Sequence, residues 1–252
     1  MARLDRLLAN LGYGSRREVN ALVRAGGVVL DGVTLKDAGA KVPIVRELPA
    51  RMTVSGVAVD PPAPLTLIMH KPLGVVCSHR EAGRSIYELL PSRWRARMPG
   101  LSTIGRLDKD TSGLLLITDD GDLLHRVISP RAHVAKRYLA TLDRPLSGDE
   151  GAIFAAGELM LDSEATPLAP AALEVISPVE AALTIIEGRY HQVRRMFAAV
   201  GNHVTALHRD RIGGLELPSD LAAGEWRVLD AAGEAAIFAQ ASGGGETEPT
   251  HP

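Results

Sequence analysis

At 252 residues and 46% apolar content, the chain can bury the core of one large domain plus a small one, and it offers no run of eighteen apolar residues to span a membrane. The single cysteine, Cys77, excludes an internal disulfide and a cysteine-based zinc cluster. A formal net charge of −2 argues against a nucleic-acid partner, but the charge is segregated: residues 1–30 and 80–97 each carry five arginines against two acids, whereas residues 216–252 carry one arginine against seven acids. Met1 leads directly into a charged segment rather than a signal peptide, so the expected compartment is a reducing cytoplasm.

The first sixty residues read as a small helical module. Ser15-Arg16-Arg17-Glu18 forms a capping box, in which hydroxyl and carboxylate exchange bonds with the first helical amides. Val19, Leu22 and Val23 supply the apolar stripe, and Gly26-Gly27 ends the helix. Val28 to Leu30 and Val33 to Leu35 flank Asp31-Gly32, a hairpin turn signal. Through Arg3-Leu4-Asp5, Gly14-Ser15-Arg16-Arg17-Glu18 and Val28-Val29-Leu30-Asp31-Gly32, the segment resembles the S4 RNA-binding domain. The resemblance implies that a basic face carrying Arg3, Arg6, Arg16, Arg17 and Arg24 meets RNA backbone, with salt-sensitive affinity. Gly27 departs from the Lys or Arg of many S4 domains, which implies a weaker grip on the hairpin side.

Asp60-Pro61-Pro62-Ala63-Pro64 cannot continue a helix or a central strand, so the expected organisation is a domain over 1–60, a stiff linker over 61–64 and a larger domain over 65–241. Residues 242–252, rich in Gly and Glu, read as a disordered tail. In the larger domain Leu65 to His70 and Val75 to Ser78 predict two strands joined by a turn at Lys71-Pro72-Leu73-Gly74. Ile86 to Leu90 predicts a short helix, and Arg93 to Met98 a basic, irregular stretch. Leu114 to Ile117 predicts a strand, and Asp120 caps a helix running to Ile128. Further strands are expected at Arg137 to Leu142, Ala172 to Ile176, Ala182 to Ile186, Val204 to Leu207 and Trp226 to Leu229. Helices are expected near Gly148 to Ala156, Tyr190 to Val200 and Ala231 to Ala241.

The loop before Leu114, Gly105-Arg106-Leu107-Asp108-Lys109-Asp110-Thr111-Ser112-Gly113, is too dense in charge, hydroxyl and glycine to be core. Its residues suit a plain turn. They also occupy several positions of a calcium-binding loop, but Asp119 stands where a bidentate Glu is required and the flanks are strands. Asp108 and Asp110 could form a pair of acid–base carboxylates, although nothing in the sequence fixes their separation.

The run Gly-Arg-Leu-Asp-x-x-Thr-x-Gly-Leu-Leu-Leu resembles the active-site motif of rRNA pseudouridine synthases of the small-subunit branch. Lys71-Pro72-Leu73-Gly74-Val75-Val76-Cys77-Ser78, Lys136-Arg137-Tyr138 and Glu187-Gly188-Arg189-Tyr190-His191-Gln192-Val193-Arg194-Arg195-Met196-Phe197 agree with that family in type and order. The resemblance spans nearly all of residues 1–230. It implies an α+β fold, with the S4 domain followed by a catalytic domain on a mixed, largely antiparallel sheet with flanking helices.

For the site it implies Asp108 as the essential aspartate, Arg106 as the group that fills the space vacated by a swung-out uridine, and Tyr138 stacked on the uracil. It also implies Arg194 as the cation paired with Asp108. Leu215 and Leu217 are candidates for an apolar wall behind the base. Val193, Met196, Phe197 and Val200 share one helical stripe, which leaves Arg194 and Arg195 at its margin, where a guanidinium can reach a cleft. Isomerising uridine needs no redox step or external group, so no cofactor is expected and no metal ligands are assigned. Asp108 could act as a nucleophile or remove a sugar proton; the residues do not choose. The expected partner is ribosomal RNA, 16S ahead of 23S, alone or in a protein-bound assembly intermediate, and the expected state is a monomer. A non-catalytic S4-type assembly protein is the alternative from another functional class.

Overall fold

In the computed structural model, which describes residues 1–78 and 81–239, the Ser15 hydroxyl accepts from the Glu18 amide and the Glu18 carboxylate accepts from the Ser15 amide at 2.7 Å. The small lobe built on that cap runs β1 (Ala2–Arg3), α1 (Leu4–Asn10), α2 (Arg16–Arg24), β2 (Val28–Leu30), β3 (Val33–Thr34), β4 (Lys41–Val42), α3 (Leu48–Arg51), β5 (Met52–Val54) and β6 (Val57–Ala58). Asp31 and Gly32, at φ 50° and 78°, supply the two positive-φ residues that a two-residue hairpin between β2 and β3 requires. Leu4, Leu8, Val19, Val23, Val28, Leu48 and Met52 are fully buried and give this lobe its own core.

The segment that follows is fastened rather than free. Asp60 is buried and takes two hydrogen bonds from Arg93, at 2.5 and 2.6 Å, while its amide donates to the Tyr13 hydroxyl. Arg97 donates to the Pro61 carbonyl at 3.0 Å and to the Asp119 carboxylate at 2.9 Å, and the other Asp119 oxygen accepts from the Leu65 amide. The basic stretch at 93–98 is therefore a correction to the sequence reading. It forms a single 3-10 turn, Ser92–Ala96, in which Arg93 is committed to Asp60 at the junction of the lobes, while Arg97 is committed to Asp119 inside the large lobe and to the linker carbonyl of Pro61. Gly12 permits the contact, because a Cβ there would lie 2.3 Å from the Arg93 carbonyl oxygen.

The large lobe runs β7 (Thr66–Lys71), β8 (Ser102–Ile104), β9 (Thr111–Thr118), α4 (Gly121–Ile128), β10 (Lys136–Leu142), α5 (Glu150–Ala156), β11 (Ala172–Ser177), β12 (Glu180–Ile185), α6 (Gln192–Ala199), β13 (Val204–Ile212), β14 (Leu215–Glu216), β15 (Trp226–Val228) and α7 (Ala231–Ala236). Its nine-stranded sheet has the order β11-β12-β10-β13-β9-β7-β15, with β14 on β13 and β8 on β9. Only β9 and β13 pair in parallel, so the sheet is mixed and largely antiparallel. Both faces are covered, which is why Leu114–Ile117 reads as an unbroken apolar run. Leu115 and Ile117 join Phe154, Met196 and Phe197 on one face, while Leu114 and Leu116 join Leu123, Val127 and Ile237 on the other.

Several sequence expectations are revised. Val75 to Ser78 is not a strand: Val76 makes one isolated bridge, to Ser85, because the segment turns under the Asp108 loop instead of joining the sheet. The helix expected at Ile86 to Leu90 is a 3-10 turn, Ile86–Leu89. Strand β13 runs five residues beyond the expected Leu207, to Ile212, and α7 stops at Ala236. Arg80 and the proposed tail at 242–252 lie outside the described residues. No helix among the described residues is long and apolar enough to cross a membrane.

Removing one partner of a buried ion pair strands the other charge. Arg97→Ala is therefore expected to destabilise the protein by about 3–5 kcal/mol, read as a lower urea midpoint at unchanged slope. A midpoint within error of wild type would show that the buried Arg97–Asp119 bridge does not stabilise the fold.

Candidate active site

The loop carrying Asp108 connects β8 to β9, and the sheet alone does not determine its shape. Lys71, at the end of β7, is fully buried, and its ammonium donates to the carbonyls of Pro72 at 3.1 Å, Asp108 at 2.9 Å and Thr111 at 2.8 Å. Burial pushes its pKa down from the ordinary lysine value, and Cys77, Asp108 and Asp110 oppose that push. The Gly74 amide donates to the Lys109 carbonyl, and the Cys77 thiol exchanges hydrogen bonds with Leu107. The 71–77 segment thus clamps the backbone of the loop from below and leaves the Asp108 carboxylate free above it.

That carboxylate opens into a cleft of about 670 Å³, lined among others by Arg106, Asp108, Lys136, Tyr138, His191 and Arg209. Asp108 is 32% exposed at its side chain, and its Oδ1 lies 3.3 Å from His191 Nε2. His191 precedes α6 at φ 48°, a left-handed conformation that side chains other than glycine adopt at a cost, and its imidazole does not cap the helix. Tyr138 comes from β10 and is 8% exposed. Its hydroxyl accepts from Arg209 Nη1 at 3.3 Å, while Arg209 Nε donates to the Leu114 carbonyl at 2.9 Å. Arg209 is buried, and its Nη2 has no partner among the described residues. Gly113, at φ 112°, lets β9 approach so closely: a Cβ there would lie 2.1 Å from the Arg209 carbonyl oxygen.

The residues singled out in the sequence are therefore partly gathered and partly dispersed. Asp108, Arg106 and Tyr138 share the cleft. Arg106 is exposed and ion-paired with Glu81 at the rim. Arg194 does not pair with Asp108: it binds the carboxylate of Asp110 at 3.0 Å and the carbonyls of Asp110 and Val204, because α6 aims it at the far side of the loop. Leu215 and Leu217 do not line the cleft either. They pack against the core cluster of Ile212, Leu221 and Ile237, because β14 folds back on β13.

On the small lobe, Arg3 and Arg16 both pair with Asp5, whose carboxyl is held down at about 2 mainly by the Arg3 hydrogen bond. Arg6, Arg17 and Arg24 are exposed. No group of three or more His, Cys, Asp or Glu residues suited to a metal gathers among the described residues.

Four cleft or loop residues went unassigned in the sequence: Lys71, Lys136, His191 and Arg209. The signal for Lys71 was its parity with Leu67 and Met69, which places it on a core face. Arg209 shares parity with Leu207 but lies beyond the strand end read from the sequence. Nothing local marks the left-handed turn at His191. Lys136 sits in the motif ending at Tyr138, and burial, with Arg209 nearby, lowers its ammonium to about 8.

Known proteins match both lobes of the chain. The RNA pseudouridylate synthase family model matches residues 66–199, and the S4 domain model matches residues 2–44. The chain is 43% identical over 230 residues to ribosomal small subunit pseudouridine synthase A of Escherichia coli (strain K12), covering 90% of this chain and 96% of that protein. The protein of the same name from Vibrio cholerae is 42% identical over 229 residues, covering 90% and 95%. A crystal structure of a pseudouridylate synthase superposes with a TM-score of 0.66 at 34% identity, covering 94% of this chain and all of that one.

Because Lys136 faces the cleft with a pKa near 8, an anion bound there is expected to be released as its ammonium deprotonates. Binding of a short single-stranded RNA should weaken between about pH 7 and about pH 9, and Lys136→Met should flatten that slope. Equal slopes in the two proteins would remove Lys136 as the titrating group.

Proposed function

The chain belongs to the RNA pseudouridylate synthase family, and on that premise we propose that it isomerises a uridine of 16S ribosomal RNA to pseudouridine, with Asp108 as the catalytic carboxylate. The observation that carries this reading is the convergence of Asp108, from the β8–β9 loop, and Tyr138, from β10, on one cleft. The small-subunit target rests on the names of the relatives, which align with both lobes of the chain.

The chemistry sets the demands. The N1–C1′ bond breaks, the uracil turns while held, C5 bonds to C1′, and the proton lost from C5 is balanced by one gained at N1. A target inside folded RNA must first be swung out, at a cost of a few kcal/mol in lost stacking. Arg106, exposed at the rim, is placed to enter the vacated space once it leaves Glu81. Tyr138 offers its ring to the uracil, and Arg209 fixes the phenol oxygen by donating to it.

Asp108, clamped through its own carbonyl by Lys71, presents its carboxylate to the sugar, either as a nucleophile or as the base that removes a sugar proton. Its neighbouring cation is His191 when that ring is protonated, while Arg194 holds Asp110 and so steadies the far end of the same loop. On the small lobe the exposed Arg6, Arg17 and Arg24, with Arg3 and Arg16 around Asp5, form the grip on RNA backbone. The protein acts as a cytoplasmic monomer, on naked RNA or on an assembly intermediate.

With a 16S fragment, wild type is expected to form pseudouridine, whereas Asp108→Asn forms none and still binds the RNA, as mapped by base-specific chemistry and a binding assay. Turnover by Asp108→Asn at the wild-type rate would remove the catalytic assignment, and binding without turnover by wild type would favour a non-catalytic assembly protein. Replacing Arg6, Arg17 and Arg24 by Gln should lower the slope of log K against log salt by roughly 0.7 per lost phosphate contact. An unchanged slope would show that the small lobe is not the grip.

A further inference from the structure

Tyr190 is the most exposed aromatic side chain among the described residues, at 76%, yet it stands at the mouth of the Asp108 cleft rather than on a remote surface. One ring face is occupied: it stacks on the His191 imidazole at 3.9 Å between centroids and 15° between planes, and that imidazole reaches Asp108 Oδ1 at 3.3 Å. The turn that presents it is braced from behind. Arg189 donates to Glu164 at 3.1 Å, Glu187 at 3.2 Å and the carbonyls of Thr166 and Pro167 at 2.8 and 2.6 Å. Arg195 donates to the Tyr190 carbonyl itself at 3.1 Å and to Glu164 at 2.8 Å.

A braced backbone loses little entropy when a ligand covers the exposed face of the Tyr190 ring. Tyr138 already supplies the aromatic surface deep in the cleft, next to the fixed Arg209. Single-stranded RNA beside an extruded nucleotide presents an unstacked base, and an aromatic platform accepts any base face.

We propose that Tyr190, backed by His191, is a stacking platform for the nucleobase next to the target uridine, and that it holds the RNA strand in register while the target enters the cleft. The inference rests on the reading of Asp108 as the centre of uridine isomerisation. His191 couples the two sites: a base stacked on Tyr190 completes a column of base, phenol and imidazole that ends on the Asp108 carboxylate.

The test uses the full-length protein and a 16S fragment, intact or carrying an abasic residue on either side of the target. Tyr190→Ala should raise KM by roughly 5- to 100-fold, with a smaller change in kcat, while Tyr190→Phe and Tyr190→Trp restore wild-type KM. One of the two abasic RNAs should lose a similar factor with wild type and nothing further with Tyr190→Ala, since both remove the same contact. An unchanged KM in Tyr190→Ala, or losses that multiply, would overturn the proposal. The same RNAs measured by equilibrium binding keep the two readings apart: absence of pseudouridine with wild type sinks the isomerase reading, and only the binding cycle decides the platform.

Discussion

The placement of the candidate catalytic carboxylate depends on a buried ammonium that never touches it. Lys71 is fully enclosed, pairs with no carboxylate among the described residues, and spends its three protons on three carbonyl oxygens. Burying a charge without a counterion is costly, and here carbonyl dipoles offset the cost only while the Asp108 loop keeps one shape. The loop is thereby specified through its backbone. Asp108 needs no side-chain partner to hold it in place, and the loose 3.3 Å approach of His191 leaves its oxygens available to a substrate.

This division also explains where sequence reasoning stopped. Elements governed by neighbours a few residues away were legible: the Ser15 capping box, the Asp31-Gly32 turn and the Asp120 cap all rely on local bonds. Val75 to Ser78 has the apolar pattern of a strand, but the Val76 backbone bonds to Arg84 and Ile86 and the Cys77 thiol to Leu107 thirty residues on, so tertiary contact overrides propensity. Arg194 was placed correctly at the edge of its helix, yet its reach is set by the approach of the β9 loop, which helical periodicity cannot describe. Leu215 and Leu217 were apolar by any reading; which face of the sheet they meet depends on β14 folding back on β13.

Charge shows the same limit. The two basic segments carry ten arginines, a segregation of charge that favoured a nucleic-acid partner. Arg93 and Arg97 instead bind Asp60 and Asp119, so the second segment is in part the joint between lobes. An arginine count thus overstates the basic surface wherever a buried acid waits elsewhere in the chain. On the small lobe Asp5 is such an acid, but Arg3 and Arg16 remain more than half exposed while paired with it, so the basic face survives.

Several costly features of the molecule lie around one cleft. Lys71 and Arg209 are buried cations, His191 is held in a left-handed conformation, and Gly113 is the only residue type that lets β13 lie against β9. Each opposes folding by itself, and a sheet covered on both faces by Leu, Ile, Met and Phe has the apolar burial to offset them. The parallel pairing of β9 with β13 joins the two halves of the site, since it sets the Asp108 loop at the start of β9 beside the strand that carries Arg209. Were that pair antiparallel, the start of β9 would face the other end of β13. Arg209 could not then bond both the Leu114 carbonyl and the Tyr138 hydroxyl, and the carboxylate and the aromatic ring would lose their common wall.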